Sequence, residues 1–143
     1  MLRGNLVHPE ILQALGGAGH GSKVLIADAN YPIGTKRGVN ARIVHLNLAP
    51  GVVSGVQALE AILSAIHVEA AWVMQDDSNT GETPTIWSDY RSVLESAGFV
   101  GDLETIDREA FYRAAADEDV ALEVATGEGQ LFANLLLVVG VVS

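Results

Sequence analysis

His20 is the residue of this sequence best suited to acid–base chemistry, and it stands between Gly19 and Gly21. Glycine lets the backbone adopt turns that other residues avoid, so the imidazole can be presented outside a regular element. Histidine is the side chain whose ordinary pKa lies nearest neutrality, which allows it both to donate and to accept a proton there. An exposed turn histidine without a function is an equally good interpretation of this residue alone.

Asp28 is a second candidate, because a carboxylate at the end of the apolar run 23–29 needs a partner. One useful partner is a ring nitrogen of His20, which the carboxylate would orient and make more basic. The alternative is an aspartate that caps a turn or a helix through the backbone nearby. The sequence leaves both interpretations open.

Asn134 and Arg108 are the other polar candidates. Asn134 lies inside a strongly apolar segment, where an unbonded amide is costly, so it must form hydrogen bonds in either a structural or a functional contact. Arg108 stands at the start of a predicted helix, where a surface position is the simplest interpretation. His8, His45 and His67 are interpreted as structural, at a helix entry, within a strand and at a helix end.

Several familiar motifs do not fit this chain. The glycine-rich segment 16–21 precedes a strand rather than joining a strand to a helix, so it lacks the context of a dinucleotide or phosphate loop. Asp76 and Asp77 are interpreted as a solvated acidic loop rather than a metal site. The absence of cysteine excludes disulfides and thiolate chemistry. None of these patterns therefore predicts a nucleotide or metal site.

Composition narrows the class of partner. The chain has 8 Lys and Arg against 18 Asp and Glu, a net charge of -10, which argues against nucleic acid as a ligand. Hydrophobic residues make up 49% and charged residues only 18%, against about a quarter charged in ordinary soluble domains. We therefore expect part of the surface to be covered by further copies of the chain in a homo-oligomer.

No segment of the sequence is expected to enter a membrane. The first residues lack the continuous apolar stretch of a secretory signal. The most apolar segment, 131–142, is well short of the ~20 residues needed to cross a bilayer. A soluble, cytoplasmic protein is expected.

The elements that must position these residues alternate between helix and strand. One helix begins at 8–9 and is ended by the glycines at 16–17; three more are expected at 54–66, 85–97 and 107–116. Strands are expected at 23–29, 42–48, 70–74, 120–125 and 135–139. This alternation predicts an α/β fold: one domain over residues 1–143, with a layered, at least partly parallel sheet and flanking helices. Ligands of such sheets gather beyond the carboxyl ends of the strands.

Two separated blocks resemble the ribose pyranase / fucose mutarotase family. HPEIL at 8–12, GHG at 19–21 and VLIADANYP at 24–32 are similar to the family's first helix, its "GHG/GHT" turn and its "ADAxxP" strand end. TGE at 126–128, FAN at 132–134 and GV at 140–141 are similar to the family's closing "TGE…Y-A/G-N…GV" pattern. DREAFY at 107–112 resembles the fucose mutarotase branch, which has arginine at the position of Arg108.

The resemblance implies a ribose pyranase-like fold and an isomerase that interconverts anomers or ring forms of a free monosaccharide, fucose-like or ribose-like. His20 would be the proton donor, Asp28 and Arg108 would bind substrate, and Phe132 and Asn134 would stand on the final site segment. The family forms ring-shaped decamers in which that segment reaches into a neighbouring subunit's pocket, and it implies no metal or cofactor.

The chain departs from the family pattern at two positions. Phe132 stands where the family has tyrosine, and His45 stands where ribose pyranases have a strand aspartate. Loss of the phenol leaves open a second interpretation, a non-catalytic monosaccharide-binding protein linked to uptake or regulation. A structural ring protein is a third.

Overall fold

The structure, a computed structural model, describes residues 1–143 and contains four helices and six strands. In chain order these are α1 (Pro9–Gly17), β1 (Lys23–Ala27), β2 (Arg42–His45), α2 (Gly55–Leu63), β3 (Val68–Met74), α3 (Thr85–Ser96), β4 (Leu103–Ile106), α4 (Arg108–Ala115), β5 (Val120–Ala125) and β6 (Leu135–Val139). None of the four helices has the length and apolar character that a membrane span requires.

All six strands form one sheet in the order β2-β5-β1-β6-β3-β4. β1, β2 and β5 are mutually parallel, β3 and β4 are parallel, and β6 runs antiparallel to both of its neighbours, β1 and β3. The carboxyl ends of five strands and the start of β6 therefore meet at one edge of the sheet, which we call the carboxyl edge. The predicted α/β class with a partly parallel sheet is confirmed.

Helices cover both faces of the sheet. Val24 and Ile26 pack in the larger apolar cluster with residues of α1, α2 and α3, whereas Leu25 and Ala27 pack in a smaller one with residues of α4. Val24, Ile26 and Leu25 are fully buried, and each such side chain contributes about 1.5–3 kcal/mol relative to an exposed position. Strand β1 is thereby fixed from both faces, so the residues that follow it have a rigid support.

Side-chain caps set the starts of α2 and α4. Ser54 and Gln57 form a reciprocal capping box at α2, and Asp107 Oδ1 accepts the backbone N–H of Ala110 at 2.9 Å in α4. Such caps each stabilise a helix by about 0.5–2 kcal/mol. The cap at Asp107 directly follows β4, so it places Arg108, the first residue of α4, at the carboxyl edge.

The largest differences between the observed elements and the sequence expectations concern β4, β2, α2 and β3. β4 is not predicted at all, because its four residues carry little apolar pattern and it lies at the sheet's edge. β2 ends at His45 rather than at residue 48, since its partner β5 ends at Ala125. α2 ends at Leu63, where Ser64 Oγ caps the Ala61 carbonyl at 2.6 Å, and β3 begins two residues early.

Candidate active site

A cavity of about 280 Å³ opens at the carboxyl edge. It is lined by Asp28, Asn30, Tyr31, Met74, Arg108, Tyr112, Leu131, Phe132 and Asn134. The volume lies at the small end of the range for small-molecule sites, about 300–1,000 Å³. A cavity of about 290 Å³ between α3 and β4 is similar in size, but no strand of the sheet ends with a polar group inside it. Because its polar lining residues follow the ends of sheet strands, where ligands of α/β sheets bind, the cavity at the carboxyl edge is the candidate site.

Asp28 is held rigidly at the floor of this cavity. Its Oδ1 accepts the backbone N–H of Asn30 at 2.9 Å, and its own N–H donates to Asn134 Oδ1 at 2.7 Å. Burial raises the pKa of Asp28 above its ordinary value, backbone hydrogen bonds oppose this, and the nearby charge of Glu128 adds to the rise. The interpretation of Asp28 as a turn-capping aspartate is confirmed, and Asn134 forms the hydrogen bond that its buried amide needs.

The segment Thr126–Glu128 ties the ends of β1 and β5 together. Thr126 Oγ1 donates to the Ala27 carbonyl at 2.7 Å, and the Glu128 carbonyl accepts the N–H of Ala29 at 2.8 Å. The Glu128 carboxylate accepts N–H groups from Gly55 at 3.2 Å and from Gln130 at 3.0 Å. This buried network joins the loop after Asp28 to the start of α2 and to the last site segment.

Helix α3 fixes that last segment, residues 130–134. Trp87 Nε1 donates to the Phe132 carbonyl at 2.8 Å, and the Tyr90 hydroxyl donates to the Ala133 carbonyl at 2.7 Å. Phe132 has φ of 57°, a left-handed conformation that non-glycine residues adopt at a cost in strain. The aromatic clamp from α3 holds the segment in this shape, and it thereby positions Phe132 and Asn134 in the cavity.

Arg108 reaches the cavity but is engaged in an ion pair. Its Nε and Nη2 donate to the two carboxylate oxygens of Asp77 at 3.1 and 2.9 Å. The hydrogen bond from Arg108 lowers the pKa of the Asp77 carboxyl, and Asp77 in turn raises the pKa of Arg108. Asp77 belongs to the loop after β3, so this pair ties that loop to the start of α4.

His20 lies at the opposite edge of the sheet from the cavity. It precedes β1 whereas Asp28 follows it, and the five residues of β1 span about 17 Å. The imidazole Nε2 contacts the two carboxylate oxygens of Glu69, at 3.0 and 2.9 Å. The pairing of Asp28 with His20, one of the two interpretations that the sequence allows, is therefore wrong within one chain, because the strand between them holds the two side chains apart.

Sequence reasoning thus finds four residues that the fold brings together and one that it does not. Asp28, Arg108, Phe132 and Asn134 all line the cavity, and His20 does not. The structure adds five more lining residues, namely Asn30, Tyr31, Met74, Tyr112 and Leu131. Asn30 and Tyr31 lie next to Asp28 in the sequence, so the strand end itself could have indicated them. Met74 and Tyr112 enter only through the packing of β3 and α4.

The polar groups that line the cavity suit a neutral, hydroxyl-rich ligand. A carboxylate, a guanidinium and an amide can each accept from or donate to hydroxyl groups, and Met74, Leu131 and Phe132 supply an apolar wall. No three histidine, aspartate or glutamate side chains lie together as a metal-binding group would. The fold and the cavity together define an α/β protein with a candidate small-molecule site at the carboxyl edge of its sheet.

The chain belongs to the RbsD / FucU transport protein family, whose model matches residues 1–142. The human fucose mutarotase is 34% identical over 146 aligned residues, which cover 96% of this chain and 91% of that protein. A D-ribose pyranase from Variovorax paradoxus is 28% identical and covers 99% of this chain and 98% of its own. The fucose mutarotase from Streptococcus pneumoniae, solved in complex with L-fucose, superimposes with a TM-score of 0.81 at 29% identity, covering 97% of this chain and 96% of that one.

These comparisons confirm the family that the two sequence blocks indicate. They also confirm the class of activity expected from it, since the relatives are sugar isomerases that interconvert anomers or ring forms. The roles of individual residues stay predictions.

Proposed function

We propose that this protein is a monosaccharide mutarotase that binds its sugar in the cavity at the carboxyl edge. The observation that carries the proposal is the convergence of Asp28, Arg108 and Asn134 on one small cavity in a chain of this family. Three different hydrogen-bonding groups, held by separate elements, match the several hydroxyl groups of a sugar ring. A fucose-like or ribose-like sugar is the proposed substrate, because related proteins are named for those sugars.

The reaction opens and recloses the hemiacetal of the sugar. A proton donor protonates the ring oxygen while the bond from that oxygen to the anomeric carbon breaks, and the anomeric hydroxyl loses its proton to a base. The open aldehyde then recloses as the other anomer or ring size. General acid–base help of about 10²–10⁴-fold is sufficient for such a step, since the reaction already proceeds in water.

Asp28 is the proposed base. It is the one carboxylate that lines the cavity, and burial raises its pKa, which makes the carboxylate a stronger base than an exposed aspartate. Arg108 and Asn134 fix hydroxyl groups of the sugar. The Arg108 guanidinium keeps Nη1 free of its bond to Asp77, so it can donate to a hydroxyl while the ion pair persists.

His20 is the proposed proton donor, and it acts in the cavity of a neighbouring subunit. Its side chain is 60% exposed, and its distance from Asp28 along β1 supports a site that a second copy of the chain completes. A ring-shaped homo-oligomer, a decamer by family resemblance, supplies such a neighbour to every subunit. Exposed apolar side chains, including Leu48 and Leu131 at 83% and 66% exposure, support an interface between copies.

Phe132 favours one alternative, a non-catalytic sugar-binding protein. The residue lines the cavity where the family has tyrosine, so one hydroxyl that could bond or protonate the sugar is missing. In this alternative the cavity binds a monosaccharide but does not accelerate its interconversion.

The cytoplasmic location expected from the sequence is also a proposal. Fractionation of the native host tests it.

Exchange NMR on a panel of L-fucose, D-ribose and D-galactose tests the proposal. We expect the wild-type protein to accelerate anomeric exchange of at least one of them, and His20→Gln to abolish the exchange while melting temperature and oligomer size stay unchanged. His45→Gln is the matched control, since His45 is an exposed histidine on β2, outside the site. Binding without exchange in the wild type would favour the binding protein, and binding of no sugar would overturn both.

A further inference from the structure

A buried carboxylate that the proposed mechanism does not use lies beneath the loop between β1 and β2, residues 28–41. We propose that Glu123 is a positioning residue for Tyr31: its protonated form holds this loop on the sheet, so the affinity of the cavity for sugar depends on the proton that Glu123 carries. The inference rests on the sugar binding of the proposed function and is independent of which residues act as acid and base.

Glu123 stands where a charge is costly. It is fully buried on β5, and its register partners on the neighbouring strands, Leu25 of β1 and Ile43 of β2, are apolar. Phe111 and Ala115 of α4 pack with Leu25 on the same face of the sheet. Apolar surroundings of this kind penalise an ionised carboxylate far more than the neutral acid.

The carboxyl group has a partner on one oxygen only, and that partner belongs to the loop. Oε1 accepts the backbone N–H of Gly38 at 2.7 Å, whereas Oε2 has no hydrogen-bond partner. Burial raises the pKa of Glu123 from 4.5 to about 6, against the Gly38 hydrogen bond and the charge of Arg37. Tyr31 is the other ionisable group that faces it, and burial and then the charge of Glu123 raise the pKa of that phenol.

The loop is held against the sheet at two points that are linked to each other. Gly38 is buried so closely that a Cβ there would lie 2.8 Å from the Asp117 carbonyl oxygen. Tyr31 is also buried, and its hydroxyl donates to the Lys36 carbonyl at 3.2 Å. Because Lys36 stands two residues before Gly38, a displacement at the Glu123 contact moves the acceptor of the Tyr31 hydroxyl.

Tyr31 transmits such a displacement to the cavity. It lines the cavity, and its ring packs on that of Tyr112, another lining residue, with the centroids 5.7 Å apart. Asp28 and Asn30, which precede Tyr31 in the loop, also line the cavity. The loop that Glu123 anchors therefore supplies one wall of the site.

Ionisation of Glu123 releases the loop because the buried anion lacks a partner at Oε2. Water or the Arg37 guanidinium can supply one, but Arg37 donates from Nη2 to the Ala41 carbonyl, at 3.5 Å, and Gly38 lies between solvent and the carboxyl. Either partner reaches Oε2 only when the backbone at Gly38 moves, and its close contact gives the loop a held and a released state. Since sugar binds against the held loop, the proton and the sugar each favour binding of the other.

Sugar affinity at two pH values tests the coupling on the full-length protein. Glu123→Gln still accepts from Gly38 and cannot ionise, so it mimics the protonated state. At about pH 7.5 a carboxyl with a pKa of about 6 is protonated in roughly one molecule in thirty, so the Kd of wild type should exceed that of Glu123→Gln by about 5–30-fold. At about pH 5, where most of Glu123 is protonated, the two Kd values should agree within about twofold.

Titration calorimetry with L-fucose, or with D-ribose where L-fucose does not bind, measures these constants. Titration of His20 and Asp28 affects wild type and Glu123→Gln alike, so it cancels in the comparison. A glutamate that only stabilises the fold would change the free energy of unfolding with pH and leave the ratio of the two Kd values constant.

Arg37→Ala tests the same coupling without altering the buried residue. Removing the charge that favours the anion raises the pKa of Glu123, so the pH at which sugar affinity falls should move upward. Arg91→Ala is the matched control, because Arg91 is an exposed arginine of α3, which packs on the opposite face of the sheet, and it should leave that pH unchanged.

Equal pH dependence of Kd in wild type and Glu123→Gln would overturn the inference, as would an unmoved midpoint in Arg37→Ala. If Glu123→Gln does not fold, the midpoint of Arg37→Ala decides alone. Both contrary results leave the proposed function standing, because they require that the wild type binds sugar. A wild type that binds no sugar would overturn both.

Discussion

Protonation of Asp28 should be visible in the pH dependence of anomeric exchange. Burial raises the pKa of its carboxyl above the ordinary value of 3.8, so the carboxylate form that accepts the anomeric proton is lost at a higher pH than for an exposed aspartate. The rate of exchange should therefore fall as the pH is lowered through that raised pKa.

Asp28→Asn separates this titration from effects of pH on folding. The amide fits the same space and still accepts the N–H of Asn30, but it cannot take a proton. We expect anomeric exchange to fall about 10²–10⁴-fold and its acid limb to disappear, as a pH series of exchange spectra measures. An acid limb that persists in Asp28→Asn, at an undiminished rate, would assign the base to another group.

The Phe132→Tyr variant tests the role of the phenol hydroxyl that the family tyrosine supplies. If the hydroxyl only binds the sugar, it should strengthen binding of a fucose-like or ribose-like sugar by about 0.5–1.5 kcal/mol, with a modest gain in rate. If the phenol is itself an acid or base, exchange should rise by about 10²–10⁴-fold. A cavity reshaped for a less polar sugar would instead bind that sugar more weakly by about 1–3 kcal/mol, because the new hydroxyl lacks a partner.

We expect the first of these outcomes, since His20 and Asp28 already provide an acid and a base. Titration calorimetry and exchange NMR on wild type and Phe132→Tyr, with the same sugars, distinguish the three. A rise in exchange near the upper limit would move the proton donor from His20 to the restored phenol.

At the scale of elements, the loop between β1 and β2 is anchored by a buried carboxylate on β5. Glu123 is fully buried; its Oε1 accepts the N–H of Gly38 at 2.7 Å, whereas Oε2 has no hydrogen-bond partner. Burial raises its pKa from 4.5 to about 6, against the opposing effects of the Gly38 hydrogen bond and the charge of Arg37. The loop it anchors begins at Asp28, so this contact also supports the cavity.

The raised pKa of Glu123 fixes the sign of a stability prediction. The folded protein keeps the proton up to about pH 6, whereas the unfolded chain releases it near 4.5. This group's favourable contribution is therefore complete below pH 4.5 and is lost as the pH rises through 6, a change of about 2 kcal/mol. Glu123→Gln cannot ionise and still accepts from Gly38, so it should be stabilised relative to wild type above pH 6 by up to that amount.

Urea unfolding of both proteins below pH 4.5 and above pH 6 measures the effect as a double difference. The free energy of unfolding of Glu123→Gln minus that of wild type should be larger at the higher pH. An equal difference at both values would show that Glu123 is ionised in the fold at no cost.

Local signals in the sequence predict most of the helices and strands. Caps such as Asp107, the apolar period of α2 and the continuous apolar runs of β1 and β6 act over a few residues, so they can be identified without the fold. β4 is missed because LETI has two apolar residues and its strand character comes from pairing with β3. The rule that ligands gather beyond the carboxyl ends of strands predicts the position of Asp28. Arg108 and Asn134 reach the same edge through the unpredicted β4 and the antiparallel β6.

The features of the site that the sequence does not reveal depend on contacts between residues that are far apart in the chain. His20 meets Glu69 across 49 positions, and Arg108 meets Asp77 across 31. The possible pairing of His20 with Asp28 does not form within one chain, because one residue precedes β1 and the other follows it. The clamp of Trp87 and Tyr90 on the last site segment depends on packing of α3 and has no local signature.

At the scale of the whole molecule, the account requires more than one chain. The composition poor in charge, the exposed apolar residues and the separation of His20 from the cavity all favour contact with further copies. We expect light scattering at micromolar concentration to give about 150 kDa, ten times the 15.0 kDa of one chain. A species of 15.0 kDa that still catalyses exchange would contradict a site shared between subunits.

Mixing two inactive variants tests the shared site and its chemistry together. His20→Gln lacks the proposed donor and Asp28→Asn lacks the proposed base, so rings of either variant alone should be inactive. In rings assembled from equal amounts of both, a site is intact wherever Asp28 of one subunit meets His20 of its neighbour, which random assembly gives at about a quarter of the sites. The account predicts that exchange NMR recovers about that fraction of the wild-type rate. Mixed rings that form but show no exchange would contradict it, as would activity in rings of His20→Gln alone.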